Sequence, residues 1–139
     1  MNMIISEKEN KKVSNSKDVF NILCGILNME HETDQMKEHF WSVGLDSKNV
    51  IQYIELVSLG NLNSSVAHPR EIFRFGIMKA VANIIVAHNH PSGNTLASKE
   101  DITLTDRLIE CGNILGIAIY DHLIITKNEY FSFKDAQLI

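Results

Sequence analysis

His88 and His90 stand two residues apart, directly after the uninterrupted apolar run Ile84-Ile85-Val86-Ala87. That run is short and rich in β-branched residues, so it reads as a strand buried on both faces. Side chains of an extended backbone alternate with period 2, so His88 and His90 project from the same side and can converge on one ion. Pro91 stops the strand, and Ser92-Gly93-Asn94 supplies a turn that brings the next helix back toward the imidazoles. Asp101, in the first turn of that helix, can add an oxygen ligand. Two imidazoles and one carboxylate leave the fourth tetrahedral position open for water, which is the layout of a catalytic zinc site. Water held there drops in pKa from 15.7 to about 7. A nearby carboxylate must still take and return the proton. Glu38, Glu55 and Glu71 are the upstream candidates.

Each feature has a plainer explanation. A His-x-His pair in a loop is commonly surface polarity, and Ser98-x-x-Asp101 is close to the capping box of a helix start. What singles the segment out is the ordered combination of buried strand, two same-side histidines, turn, and acid at a helix N-terminus. Glu55 lies in an otherwise apolar strand, where an edge position would show it to solvent at no cost. Glu71 follows Pro69 in a first helical turn, where the helix dipole alone accounts for an acid; His68 and Arg70 are equally well explained by a surface helix start. His122 can line the same cleft, but is expected to be a core or edge histidine bonded to a backbone carbonyl. His31 and His39 carry no spacing signal, and Trp41 is expected in the core.

The elements that must position these residues follow from patterning. Residues 1–15 show no periodicity and read as a poorly ordered arm. Ser16 is expected to cap a helix whose stripe is Val19, Phe20, Leu23, Ile26 and Leu27, with Asp18 in its first turn. A short helix is expected over Thr33 to Glu38. Strands at Phe40 to Leu45 and Val50 to Leu59 flank the turn Asp46-Ser47-Lys48-Asn49. Gly60 to Ala67 reads as a loop or edge segment. Pro69 opens a helix burying Ile72, Phe73, Ile77, Ala80 and Val81. Another helix runs from about Lys99 to Cys111, with Leu104, Leu108 and Cys111 on one face and Gly112 as its C-cap. Ile117 to Thr126 and Tyr130 to Phe133 form a closing pair of strands.

At 139 residues the chain has room for one core without disulfides or a structural metal, so a metal here serves function rather than folding. The expected organisation is one domain over residues 16–139. A net charge of −4 makes a weak case for nucleic-acid binding, which rests on clustered Lys and Arg. Cys24 and Cys111 fit buried thiols of a reducing compartment. No apolar run approaches the roughly 20 residues that span a bilayer, and no leader pattern stands at the N-terminus, so the expected location is cytoplasmic. Nothing in the sequence sets an oligomeric state.

With those residues in view, the chain resembles the JAMM/MPN metalloproteases through the pattern His-x-His-x7-Ser-x2-Asp from His88 to Asp101. More narrowly it resembles the RadC family. His68-Pro69-Arg70-Glu71, Ala87-His88-Asn89-His90-Pro91-Ser92-Gly93, Asp121-His122-Leu123-Ile124-Ile125 and Tyr130-Phe131-Ser132-Phe133 match its recurrent blocks, and together they cover most of residues 36–133. The resemblance implies a three-layer, cytidine-deaminase-like α/β fold with a mixed sheet flanked by helices. It also implies zinc, held by His88, His90 and Asp101. It assigns Ser98 to stabilising an oxyanion, and selects Glu38, just before the first core strand, as general base ahead of Glu55. The implied activity is hydrolysis of a peptide or isopeptide bond in a protein or peptide substrate. The alternative is a non-catalytic adaptor, and the family name carries an association with DNA repair. Two departures stand out: Ala97 replaces the usual Pro before Ser98, which loosens that loop, and the resemblance is not expected to extend to the helix-hairpin-helix region of longer members.

Overall fold

The computed structural model describes residues 3–6, 11–60 and 68–139. The segment expected as a loop or edge between Gly60 and Ala67 lies, beyond Gly60, outside the described residues. The strands are β1 (Met3–Ser6), β2 (Glu38–Leu45), β3 (Ile51–Gly60), β4 (Asn83–Asn89), β5 (Ala118–Ile125) and β6 (Tyr130–Ser132). The helices are α1 (Ser16–Asn28), α2 (Glu32–Gln35), α3 (Pro69–Met78) and α4 (Lys99–Leu115). The strands form one mixed six-stranded sheet in the order β1-β3-β2-β4-β5-β6, in which only β4 and β5 are parallel. Their crossover is α4, the kind of connection a parallel pair requires.

Strand alternation divides the core in two. Trp41, Val43, Leu45, Ile85, Ala87, Leu123 and Ile125 bury one face of the sheet against Val19, Leu23 and Leu27 of α1. Phe40, Tyr53, Ile84, Val86 and Ile119 bury the other against Ile72 and Phe73 of α3 and Leu108 of α4. The result is the expected three-layer α/β architecture, with Trp41 fully buried as anticipated. Since Ile84 and Val86 face α3 and α4, the same alternation carries His88 to that face. Gly44 marks a close approach, because a Cβ there would lie 2.0 Å from the Tyr53 ring.

Several boundaries differ from expectation. Part of the supposed N-terminal arm belongs to the sheet: Met3–Ser6 pairs with β3, Lys12 bridges to Val50, and Val13 is buried. Asn15 rather than Ser16 caps α1, forming a capping box with Asp18. The second helix stops at Gln35, which leaves Glu38 to open β2. In α3, Gly76 takes the buried place expected for Ile77, which is 53% exposed, and the helix ends before Ala80. Gly112 lies inside α4, where a Cβ would meet the Ile117 carbonyl oxygen at 2.3 Å. The left-handed cap is Gly116, at φ 75°. Cys24 and Cys111 are free and partly buried rather than buried. No described helix is long and apolar enough to cross a membrane.

Candidate metal centre

The centre forms where the end of β4 meets the start of α4. β4 pairs with β5 through Asn89, and the His90 amide extends the ladder by donating to Ile125 O at 2.9 Å. Both histidines therefore sit on extended backbone and share a face, as their spacing predicts. The turn follows at once, with Gly93 N donating to His90 O at 3.0 Å and Gly93 at φ 89°. Ser98 then caps α4. Its Oγ accepts from Asp101 N at 3.0 Å while its amide donates to Asp101 Oδ2 at 2.9 Å. The capping box weighed as an alternative to metal ligation is thus present, and it serves the same geometry, because it fixes the Asp101 carboxylate in the direction of the imidazoles.

His88 Nε2 and His90 Nε2 are 3.0 Å apart. Asp101 Oδ1 lies 3.3 Å from the former and Oδ2 3.6 Å from the latter. One ligand atom from each of these residues falls within 4.8 Å of the others, so the group could hold a metal ion. Both Nδ1 atoms are engaged away from the centre. His90 Nδ1 donates to Asn94 O at 2.7 Å, and His88 Nδ1 lies 2.9 Å from His122 Nε2. Two imidazole nitrogens facing each other at 3.0 Å need a proton or a metal ion between them, and with both Nδ1 atoms engaged elsewhere the pair can turn both Nε2 atoms to a metal. The donor set fits zinc chemistry: nitrogen and carboxylate oxygen, one short of a closed tetrahedron.

The electrostatics agree. Burial pushes the Asp101 carboxyl upward, but the adjacent imidazoles of His88 and His90 outweigh it and, with the Ser98 amide, hold Asp101 well below the usual carboxylate range. The bond to Asp101 raises His90 above the ordinary imidazole value against the opposing effect of burial, with contributions from the Asn94 carbonyl and the charge of Glu38. Burial drives the fully buried His122 well below that value, so its ring is neutral.

Of the other sequence candidates, Glu38 comes near the centre. The antiparallel register that pairs Phe40 with His88 carries Glu38 toward His90, and both residues line one cleft of about 750 Å³ with Met36, Lys37, Gly60, Pro91 and Ser92. Glu55 is fully buried because β3 is an interior strand, not the edge that would have exposed it. Its carboxylate lies 3.8 Å from Arg74 of α3, outside the His88, His90 and Asp101 group. Glu71 sits in the first turn of α3, as its helix-dipole explanation requires. His68 caps that helix by accepting from Arg70 N.

Three residues around the centre were not foreseen in these roles. Asn89, between the two histidines but on the opposite face, accepts from His39 N and donates to Lys37 O at 3.1 Å, tying the start of β2 to β4 beside Glu38. His122 bonds to the ring of His88 rather than to a backbone carbonyl, and Thr105 lies behind it, 2.6 Å from His122 Nδ1. Thr105 stands four residues after Asp101, on the same helix face, and that spacing was a usable signal.

A family model described as the RadC-like JAB domain matches residues 13–138, nearly the whole chain. The chain belongs to the RadC family. A UPF0758 protein of Methanosarcina mazei is 43% identical over 129 residues, which are 93% of this chain and 54% of that protein. A UPF0758 protein of Caldanaerobacter subterraneus subsp. tengcongensis is 44% identical over 96% of this chain and 55% of its own length. One from Desulforamulus reducens reaches 48% over 84% and 51%, respectively. This RadC-family chain thus spans about half the length of the curated relatives it matches. The matched region includes β2 through β6 and every residue of the centre.

Proposed function

We propose that this RadC-like domain is a zinc-dependent hydrolase that cleaves an amide, either a peptide bond or the isopeptide bond of a modified protein. The observation that carries the reading is the opposition of His88 Nε2 and His90 Nε2 at 3.0 Å beneath both oxygens of Asp101, with each Nδ1 engaged elsewhere. Bound zinc would polarise a substrate carbonyl and acidify a water molecule. The remaining work belongs to the chain. Glu38, in the cleft it shares with His90, takes the proton from water and returns it to the leaving amine. Ser98, at the N-terminus of α4, steadies developing negative charge on the carbonyl oxygen, aided by the positive end of the helix dipole. The substrate is a peptide or protein segment lying in the cleft between Glu38 and Ser92.

Metal analysis of the purified wild type should find one zinc per chain, with His88→Ala and Asp101→Asn losing it. Glu38→Gln should keep the metal and lose about 10²- to 10⁴-fold in turnover on peptide or isopeptide substrates. Zinc retained by His88→Ala would refute the ligand assignment. A fully active Glu38→Gln would refute the base.

A further inference from the structure

Behind the metal centre, four buried or partly buried groups form one hydrogen-bonded line. Thr105 Oγ1 is 2.7 Å from the backbone carbonyl of Asp101 and 2.6 Å from His122 Nδ1, while His122 Nε2 is 2.9 Å from His88 Nδ1. Each close contact needs one proton. A carbonyl oxygen has none to give, so the Thr105 hydroxyl must donate to Asp101 O. That leaves Thr105 Oγ1 as acceptor toward His122, whose ring, fully buried between Phe40 and Phe133, carries one proton and holds it on Nδ1. His122 Nε2 is then a lone pair, and His88 must supply the proton between them from its own Nδ1. The whole line therefore requires a proton on His88 Nδ1, so that a neutral His88 turns its Nε2 lone pair into the centre.

We propose that Thr105 and His122 are positioning residues that set the tautomer of His88, so that its Nε2 is presented to the metal as an acceptor. The inference rests on His88 being a metal ligand, and it adds the reason the ring is ready to act as one. The surroundings favour a fixed arrangement. Thr105, His122 and His88 are 1%, 0% and 3% exposed, His122 stacks on Phe133 at 4.6 Å, and Phe40 packs on both imidazoles. Water cannot substitute for a missing partner there, and hydrogen bonds are stronger in such a medium than in water. The line also begins on the backbone of Asp101, so the same turn of α4 that supplies the carboxylate ligand orients the imidazole opposite it. His90 reaches the same state by a shorter route, through the Asn94 carbonyl.

The test combines ring ¹⁵N NMR on metal-free protein with zinc titration against a competing chelator, for wild type, Thr105→Val, Thr105→Ser and His122→Phe. In the wild type, His88 and His122 should both show the Nδ1–H form. Thr105→Val should mix the tautomers and weaken zinc binding about 10- to 100-fold, the usual cost of losing a partner behind a ligand. His122→Phe should weaken it similarly, and Thr105→Ser, which keeps the hydroxyl, should match wild type in both readouts. An Nε2–H form of His88 in the wild type, or unchanged tautomer and affinity in Thr105→Val, overturns the proposal. If the wild type binds no zinc yet shows the Nδ1–H form and Thr105→Val loses it, the positioning role stands and the metal reading falls.

Discussion

His88 and His90 converge because an extended backbone places alternate residues on one side, and that much could be read directly from their spacing and the apolar run before them. Asp101 was legible in the same way, as an acid three residues after a cap. What could not be read was which second partner each imidazole would find, since that depends on residues 105 and 122, brought together only by the fold. The Asp101 carboxylate also has a measurable signature of its own. In metal-free protein its folded-state value is depressed by His88 and His90, so its contribution to stability is present above the unfolded value of about 3.9 and is lost as pH falls below it. Denaturation of chelator-treated protein should therefore show a steeper loss of stability below about pH 4 for wild type than for Asp101→Asn. Parallel acid limbs would mean that the carboxylate does not interact with the imidazoles.

At the scale of elements, α4 has to deliver both Asp101 and Thr105 to the ends of β4 and β5. Gly112 sets how closely its last turns approach the start of β5, because any side chain would collide with the Ile117 carbonyl. Replacing an interior helix glycine with alanine ordinarily stabilises by about 1 kcal/mol. Here Gly112→Ala should instead destabilise by about 1–3 kcal/mol, the usual range for overpacking. A urea midpoint that rises in this variant would contradict the close approach. The sequence suggested a C-cap for Gly112 because glycine serves both purposes, and only the contact with Ile117 distinguishes them. β5 holds a similar ambiguity. A register shift leaves Tyr120 as an extra residue opposite β4, so His122 faces the same side as Ile119 although the two are three apart. Strict alternation from Ile119 would have sent His122 to the α1 face, and no residue type in Ile117 to Thr126 announces the bulge.

For the molecule as a whole, layering and strand pairing were accessible from patterning, since Trp41, Val43 and Leu45 alternate with Phe40 and Ser42 as a two-faced buried strand must. The N-terminal strand was not, because four residues without periodicity gain their identity only by pairing with β3. A folded scaffold that binds metal at a preformed centre links occupancy to stability. At a free zinc concentration about 1,000 times the dissociation constant, wild type should gain about 4 kcal/mol over its metal-free form. His88→Ala should gain nothing in the same thermal or urea melts. The most direct measurement is an anomalous difference map collected across the zinc edge from crystals of the purified wild type. One peak is expected, about 2.0–2.2 Å from His88 Nε2, His90 Nε2 and an Asp101 carboxylate oxygen. Zinc-supplemented crystals with no anomalous peak at these three side chains would contradict it.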